Sequence, residues 1–539
     1  MTTADTATAE RPSQPAMTKP PQFTAKPYVG ILGVFLGAGI ATLNARLLSV
    51  GLPDLRGVFG LGVDEGSWIP TALNMATMFS GVFVVFIASL IGPRRVLLPA
   101  AGIFTLASVV LPFSSGYPEI LALTVIAGIA SGTFYSLTMT FVLVSLPKRL
   151  IIFGIAAYAA DIVFVSNIAS LVEGWYIETL SWRWIFWTAT VVTPAMMACV
   201  YYGIPRHAPA GPRPSWRGFA YFSVGIALLY GALDQGERLD WLNSGVIVAM
   251  LSGGGILVLA AALRRVLEPN PSLKLSFLNR RNIFILALSI FAFKFVHLAT
   301  IVLIPGFLGN IQQYRSLEVG HTLAWVAVPM FVIVWLVAMV VIRTNSRLTL
   351  ALGLTIVAVG SWMCGHLDST WSGGSFEKLE LLLAVGFACS YVGLVGALVI
   401  EGLEAGALTN LASAATYSGF LHFIRLFGGQ TGVAAMTHFI AEREKVHSNL
   451  LGLHIQSEAW LTDERVRILT AAILPSSIDL DDAHTRAITV LAQQVRAQAY
   501  TLATSDGFIL LCWMAVAYLL LMLFLRPARI SYMELRKMP

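Results

Sequence analysis

Long apolar runs separated by short polar segments make up most of this chain. An α-helix crosses a bilayer core of about 30 Å with about 20 apolar residues, and the runs have this length. The pattern predicts fourteen membrane-spanning helices and therefore an all-α, multi-pass membrane protein. The predicted spans cover residues 28–51, 68–91, 95–114, 117–146, 150–173, 183–204, 217–236, 243–265, 283–307, 319–342, 347–366, 379–400, 410–440 and 506–526.

Composition excludes several classes of protein. Of the 539 residues, 57% are hydrophobic and 12% are charged, with a mean hydropathy of +0.75. Soluble domains carry about 25% charged residues, so a soluble multi-domain enzyme and a disordered or fibrous chain are excluded. The four cysteines lie in apolar runs without a CxxC pair, which is typical of buried thiols and not of a disulfide framework or metal site. We expect no metal and no cofactor.

The basic residues indicate how the helices are oriented. The net charge is +6, but Lys and Arg cluster at the ends of apolar runs, which favours a lipid bilayer and not nucleic acid as the surrounding partner. With the N-terminus in the cytoplasm, most basic residues of the short loops fall on the cytoplasmic side, as the positive-inside rule expects. We therefore predict that both termini are cytoplasmic and that residues 441–505 form a large outside loop.

Loop lengths suggest two helical bundles. Six spans end near residue 205, six more begin near residue 282, and two spans lie between them. This arrangement is typical of transporters whose binding site lies between two repeats. The predicted divisions are a disordered tail (1–27), an N-terminal bundle (28–205), an inserted helix pair with linkers (206–281), a C-terminal bundle including the outside loop 441–505 (282–526) and a cytoplasmic tail (527–539).

Acidic residues inside spans are the first candidates for function. An ionised side chain at the bilayer centre costs about 2.5–3.5 kcal/mol on insertion scales, so it is retained where it is paired or faces a wet cavity. Asp161 lies within the fifth span and is a candidate proton carrier. Glu173 follows in the same span about 18 Å further along the helix. It is either a second station for protons or a solvated interfacial group, and we favour the latter.

Basic residues inside spans are the second set of candidates. Lys294 and His297 are i, i+3 neighbours in the ninth span, and His422 and Arg425 are i, i+3 neighbours in the thirteenth. His297 titrates near neutrality and is a further proton-coupling candidate. Together with Arg46 in the first span, these cations outnumber the one deep acid. We hypothesise a cavity that accepts anionic or amphipathic solutes.

Several segments resemble the fourteen-span drug:proton antiporters of the major facilitator superfamily, the EmrB/QacA-like family. Their order and spacing over residues 28–526 make the set specific, although each is weak alone. The segments are SWRWIF at 181–186, LDQGERLDW at 233–241, FLNRRN at 277–282, RLFGGQTGVA at 425–434 and QAY at 498–500 shortly before DGF at 506–508.

The resemblance implies a secondary transporter that exports amphipathic small molecules or drugs, by proton antiport, across the inner (plasma) membrane. It also implies that a periplasmic adaptor docks near residues 441–505. The chain departs from the family pattern at four places: Asn44 replaces the first-span carboxylate, Ser89 replaces an aspartate after the second span, Thr124 replaces an arginine, and 169–174 replaces the GPxxGG motif. Asn44 therefore joins the candidate cavity residues, and Asp161 becomes the best candidate for the proton carrier.

Three alternatives are left open by the residues alone. One is a facilitator or organic-anion exchanger of the same fold that is not coupled to protons. A second is a proton-channel subunit of a respiratory complex, and a third is a membrane-embedded transferase. The sequence has no P-loop, HExxH or Rossmann motif, so we expect neither an ATP-driven pump nor an enzyme.

Overall fold

The predicted apolar runs correspond in position to helices in the structure, a computed structural model that describes residues 26–147, 150–204, 216–267, 280–406, 411–455, 459–526 and 532–537. The predicted tail 1–27 therefore lies outside the described residues except at its last two positions. The helices of the first half are α1 (Lys26–Val50), α2 (Leu52–Phe59), α3 (Val63–Ile91), α4 (Pro93–Val110), α5 (Tyr117–Ser145), α6 (Ile151–Trp175), α7 (Trp184–Gly203), α8 (Trp216–Gln235) and α9 (Gly245–Leu267).

The second half continues in the same way, with one irregularity. The ninth predicted span is broken, because a π-helical turn at Ala299–Leu303 separates α10 from α11. The helices are α10 (Arg281–Val296), α11 (Ile304–Asn310), α12 (Ser316–Arg343), α13 (Ser346–Cys364), α14 (Gly373–Glu404), α15 (Leu411–Gly452), α16 (Trp460–Ile473), α17 (Leu480–Met522) and α18 (Tyr532–Lys537).

Twelve helical segments of the described residues are long and apolar enough to cross a membrane. They occupy twelve of the predicted positions, and α8 and α15 occupy the other two. These two helices carry more polar residues and fall short of that apolarity. Successive spans run in opposite directions. We call the end that carries residues 441–505 the loop face and the opposite end the termini face.

The two halves of the chain meet along α6 and α12. These helices pack antiparallel over their length, with Phe153 stacked on Trp335 and Phe164 against Phe331. Near the loop face Gly320 lies directly against the backbone of Leu171, so that a Cβ at residue 320 would overlap it. Small residues allow this close approach because no side chain separates the helix backbones.

The inserted pair α8–α9 packs on the N-terminal half. Phe219, Ile226 and Tyr230 of α8 belong to the same apolar core as α1, α3, α4, α5 and α7. Large side chains of α9, including Ile256 and Leu259, are exposed, which suits a helix that faces lipid. Thus α8 separates α9 from the rest of the bundle.

Two helices extend well beyond the bilayer thickness. At 1.5 Å per residue, α15 and α17, with 42 and 43 residues, are each about 65 Å long, roughly twice a bilayer core. Their ends at the loop face pack against each other, and α17 also packs against α16. The described residues of segment 441–505 are mostly helical, and most of them continue two spans and do not form separate surface helices.

Candidate functional site

One face of α15 carries polar side chains into the centre of the protein. Ser418, His422 and Arg425 follow one another at i, i+4 and i+7, a spacing that puts them on the same face of a helix. Their residues are 0%, 3% and 7% exposed, so each is more than nine-tenths buried. Within this face the Arg425 guanidinium reaches back to His422, with 3.3 Å between Nη2 and Nδ1. This contact confirms the proximity expected from the sequence.

This face borders a narrow cavity with about 30 Å³ of free space for water-sized molecules. Its walls come from α6, α10, α14 and α15, so residues of both halves of the chain contribute to it. Most of the lining is apolar, with a few polar groups, which is typical of a small-molecule site. The lining residues are Tyr158, Ile290, Phe293, Tyr391, Leu394, Val395, Leu398, Ser418, Leu421, His422 and Arg425.

Aromatic rings hold Arg425 in place across the interface between the halves. Its guanidinium carbon lies 5.5 Å from the ring centre of Tyr135 and 5.7 Å from that of Tyr158, within range of cation–π attraction. Tyr135 also stacks on His422, with 5.0 Å between ring centres, and its hydroxyl donates to Thr42 at 3.0 Å. The cation of the C-terminal half is thus stabilised largely by the N-terminal half.

Asp161 is the acidic counterpart of Arg425 in the N-terminal half. Its Oδ1 lies only 2.7 Å from where a Cβ would stand at Gly39 of α1, so the glycine makes room for the carboxylate. The side-chain Oδ2 is buried without a hydrogen-bond partner. Asp161 and Arg425 are close enough for their charges to attract, but they form no ion pair.

Lys294 and His297, which are neighbours at the end of α10, lie in two different environments. Lys294 packs its stem next to Gly429 of α15 and lies close enough to Arg425 for the two charges to repel. His297 is buried inside the C-terminal half, between the rings of Phe293 and Phe387. Neither ring nitrogen has a hydrogen-bond partner in the part of the chain that the structure describes. Neither residue lines the cavity.

Two further sequence candidates lie away from the cavity. Arg46 of α1 is half-buried, has an unpartnered Nε and is near Tyr230 of α8. Asn44 is buried in the same helix. Of the five residues predicted to line a substrate cavity, His422 and Arg425 border the cavity described above, whereas Asn44, Arg46 and Lys294 lie elsewhere.

The solvated position favoured for Glu173 is wrong. This residue is 0% exposed because α6 packs tightly on α12 at this level, where Gly174 lies against Leu317. Its carboxylate faces Asp54 of α2 and Ser316 of α12. The sequence placed Glu173 near the rim correctly but contains no indication that another helix covers it.

The structure adds residues that the sequence did not single out. Tyr158, Tyr391 and Ser418 join the cavity from three helices. Glu380 is fully buried in α14, and neither of its carboxylate oxygens has a hydrogen-bond partner among the described residues. Asp161 is therefore not the one deep acid, contrary to expectation.

A polar cluster connects α8 with both halves at the loop face. Asp234 accepts hydrogen bonds from Thr71 of α3 and, at 2.6 Å, from Gln430 of α15. One turn further, Glu237 pairs with His438 of α15 at 2.7 Å. The inserted helix thus bridges α3 and α15, through residues of the LDQGER segment noted in the sequence.

Further ion pairs order the helices beyond the loop face. Asp506 of α17 accepts from Arg443 at 2.6 Å and contacts His447 at 2.7 Å, both on α15. Glu444 pairs with Arg496 at 3.3 Å. Some large apolar residues nearby are nevertheless exposed, among them Trp460 (74%) and Ile478 (91%).

Two helical halves around a central, mixed-polarity cavity define the class: a multi-pass membrane transporter. The chain matches the Major Facilitator Superfamily over residues 34–432 and belongs to that family. It is therefore a multi-pass protein of the cytoplasmic membrane, and its family consists of transporters and not enzymes. Family membership also excludes a respiratory proton-channel subunit.

Curated relatives are similar over nearly their whole length. The multidrug export protein EmrB of Haemophilus influenzae is 22% identical over 500 residues, which cover 92% of this chain and 95% of the relative. The colistin resistance protein EmrB of Acinetobacter baumannii is 24% identical over 499 residues, covering 90% and 94%. These relatives confirm the resemblance to EmrB-type exporters.

A solved structure shows the same fold. The human organic anion transporter MFSD10 (TETRAN) superposes with a TM-score of 0.53 at 15% identity, covering 92% of this chain and 100% of that one. At this identity the likeness concerns the arrangement of the helices alone.

Proposed function

We propose that this protein is a secondary active transporter that exports amphipathic compounds or drugs by proton antiport. The observation that carries the proposal is the position of Asp161 beside Arg425. The acid belongs to the N-terminal half, the cation belongs to the C-terminal half, and both lie in the buried centre between them. Alternating access moves one bundle against the other around such a midplane site.

The chemistry of coupling follows from this placement. Ionised Asp161 attracts Arg425 and draws the two halves together at the centre, whereas a proton on Asp161 removes that attraction. Loss of this attraction changes how tightly the two halves are held together at the centre. Protonation and a bound substrate therefore both act on the contact between the halves, which links proton movement to substrate transport.

Asp161→Asn tests the proton step. In proteoliposomes we expect transport driven by a pH gradient to be abolished, because the amide cannot take up or release a proton. Substrate exchange without a gradient should continue, because the cavity residues are intact. Asp481→Asn, at the exposed start of α17, is the matched control and should behave as wild type. If Asp161→Asn keeps both gradient-driven transport and proton flux, the role assigned to Asp161 is wrong.

We further propose that α8 and α15 also cross the membrane, giving fourteen spans with both termini in the cytoplasm. Each has the required length and runs antiparallel to the spans that precede and follow it. Single cysteines at Ser477 and Met533 test the orientation: a membrane-impermeant maleimide applied to intact cells should label only Ser477→Cys. Labelling of Met533→Cys from outside would reverse the orientation.

A facilitator or organic-anion exchanger of the same fold is the second candidate function. Asn44 and Thr124 favour it, because both replace charged residues of the antiporter pattern. MFSD10, which shares the fold, is an organic anion transporter. Collapse of the proton gradient separates the two functions: antiport stops, whereas facilitated exchange continues.

We also propose that a periplasmic adaptor docks on the helices of segment 441–505. The exposed Trp460 and Ile478 support this, because large apolar side chains in water favour a protein interface. Trp460→Ser with Ile478→Ser should leave transport in proteoliposomes unchanged but abolish binding of a purified family adaptor. Binding that survives the double change would exclude this surface.

A further inference from the structure

The cavity face of α15 presents hydrogen-bond donors that no described residue satisfies. Within the described residues, Ser418 Oγ, His422 Nε2 and Arg425 Nε are all buried and have no hydrogen-bond partner. All three residues line the same cavity. Buried polar groups are almost always hydrogen-bonded, so three orphans along one helix face indicate that a ligand supplies the missing partners.

The contact between Arg425 and His422 defines what kind of ligand fits. A guanidinium only donates hydrogen bonds. Arg425 Nη2 therefore donates to His422 Nδ1, which must be the accepting nitrogen of a neutral ring. The ring proton is then on Nε2, and Nε2 is a donor. Arg425 Nε is a donor as well, and the Ser418 hydroxyl can donate.

Three donors call for a ligand group that only accepts. A carboxylate meets this requirement, because its two oxygens accept several hydrogen bonds and its charge is opposite to that of Arg425. The nearby Lys294 adds a second positive charge, and no carboxylate of the described residues forms an ion pair with either cation. A quaternary ammonium would face repulsion and would satisfy none of the donors.

The remaining walls of the cavity suit an apolar body. Ile290, Phe293 and Leu394 lie on the side of α10 and α14. The free space between these walls is about 30 Å³, so the walls must move apart to admit a ligand body. A ligand with a carboxylate at one end and an aliphatic or aromatic body at the other matches the polar and apolar parts of this lining.

We propose that Ser418, His422 and Arg425 form a subsite that binds the carboxylate of an amphipathic monoanion. This inference rests on the proposed export function, because it names the substrate class of that cavity. The sequence showed only an excess of cations, whereas the structure identifies three donor atoms that all require a hydrogen-bond acceptor.

The test compares three probes of one chain length: octanoate, octanol and octylammonium. Binding to the purified protein in lipid nanodiscs is measured by calorimetry, with empty nanodiscs as the blank for partitioning into lipid. We expect octanoate to bind more tightly than either other probe. Arg425→Gln should weaken octanoate binding roughly 10- to 150-fold, as expected for loss of a hydrogen bond to a charged group, and leave octanol binding unchanged.

Milder variants keep the test valid if Arg425→Gln does not fold. His422→Phe retains the stacking on Tyr135 but removes the donor, and Ser418→Ala removes only a hydroxyl. Each should reduce the preference for octanoate over octanol, and Arg425→Lys should restore part of it. Arg443→Gln, an arginine of α15 outside the cavity, is the control and should not change the preference.

Two outcomes separate this inference from the proposed function. If wild type binds octylammonium as tightly as octanoate, or if no cavity variant changes the preference, the carboxylate subsite is overturned whether or not gradient-driven export occurs. If the preference behaves as expected but proteoliposomes show no gradient-driven export of octanoate, the subsite stands and the proposed antiport fails.

Discussion

Gly320→Ala should open the loop face of the transporter. Gly320 lies on α12 where a Cβ would overlap the backbone nitrogen and Cα of Leu171 on α6. Backbone cannot rotate away as a flexible side chain does, so the two helices must separate. Overpacking of this kind costs about 1–3 kcal/mol, and the cost applies only while the halves are closed against each other at this level.

The expected shift follows from that difference. Alanine favours the helix over glycine by about 1 kcal/mol, but this gain is common to the open and closed states and cancels. A penalty of about 1–3 kcal/mol on the closed state shifts the equilibrium roughly 5- to 150-fold toward opening. Spin labels at Ser115 and Thr370, one in each half at the loop face, should show a larger population of long distances by double electron–electron resonance.

Two glycines provide controls for Gly320→Ala. Gly102 lies in α4, and a Cβ added to it would have no atom within 4 Å, so Gly102→Ala should leave the distances unchanged. Gly353→Ala overlaps the backbone of Ser390, but both residues belong to the C-terminal half. It should lower thermal stability without changing the distance between halves. If Gly320→Ala gives the same distances as Gly102→Ala, the α6–α12 contact does not hold the loop face closed.

Three further predictions concern polar groups outside the cavity. Gln430→Met removes the hydrogen bond to Asp234 and should favour the open loop face by about 0.5–1.5 kcal/mol. The same spin labels measure this shift, and unchanged distances would show that α8 does not hold α3 and α15 together. Tyr532 of α18 is buried beside Ile152 and donates a hydrogen bond to the Gly396 carbonyl at 2.8 Å. Tyr532→Ala should therefore increase maleimide labelling of Ile152→Cys from the termini face. Equal labelling with and without Tyr532→Ala would show that α18 does not cover this site. Glu380→Leu removes a buried carboxylate that has no hydrogen-bond partner among the described residues. It should raise the thermal unfolding temperature and leave proton-driven transport unchanged. Loss of transport would show that Glu380 takes part in proton coupling.

The positions of the spans were predictable because membrane thickness fixes helix length. The pairing of His422 with Arg425 was predictable for a similar reason, since three residues along a helix return the chain to nearly the same face. Both inferences need only the local geometry of a helix. They hold before anything is known about which helices are neighbours.

Residues whose role depends on helix neighbours were not predictable. Tyr158, Tyr391 and Ser418 are ordinary residues of apolar runs, and only the packing of α6, α14 and α15 brings them to one cavity. Glu173 looked solvated because nothing in its own helix indicates that α12 covers it. Glu380 was overlooked because the predicted span began at residue 379, whereas α14 begins two turns earlier at Gly373.

The helix that least resembles a membrane span carries most of the candidate chemistry. α15 falls short of the apolarity of the twelve clear spans because it contains Ser418, His422, Arg425 and Gln430. In contact with lipid these side chains would be costly, but here they face the cavity, the tyrosines and α8. For His422 and Arg425 part of this cost is offset by contacts with Tyr135 and Tyr158 of the N-terminal half. Any movement that separates the halves must break these contacts, which places α15 at the centre of both ligand binding and the change between states.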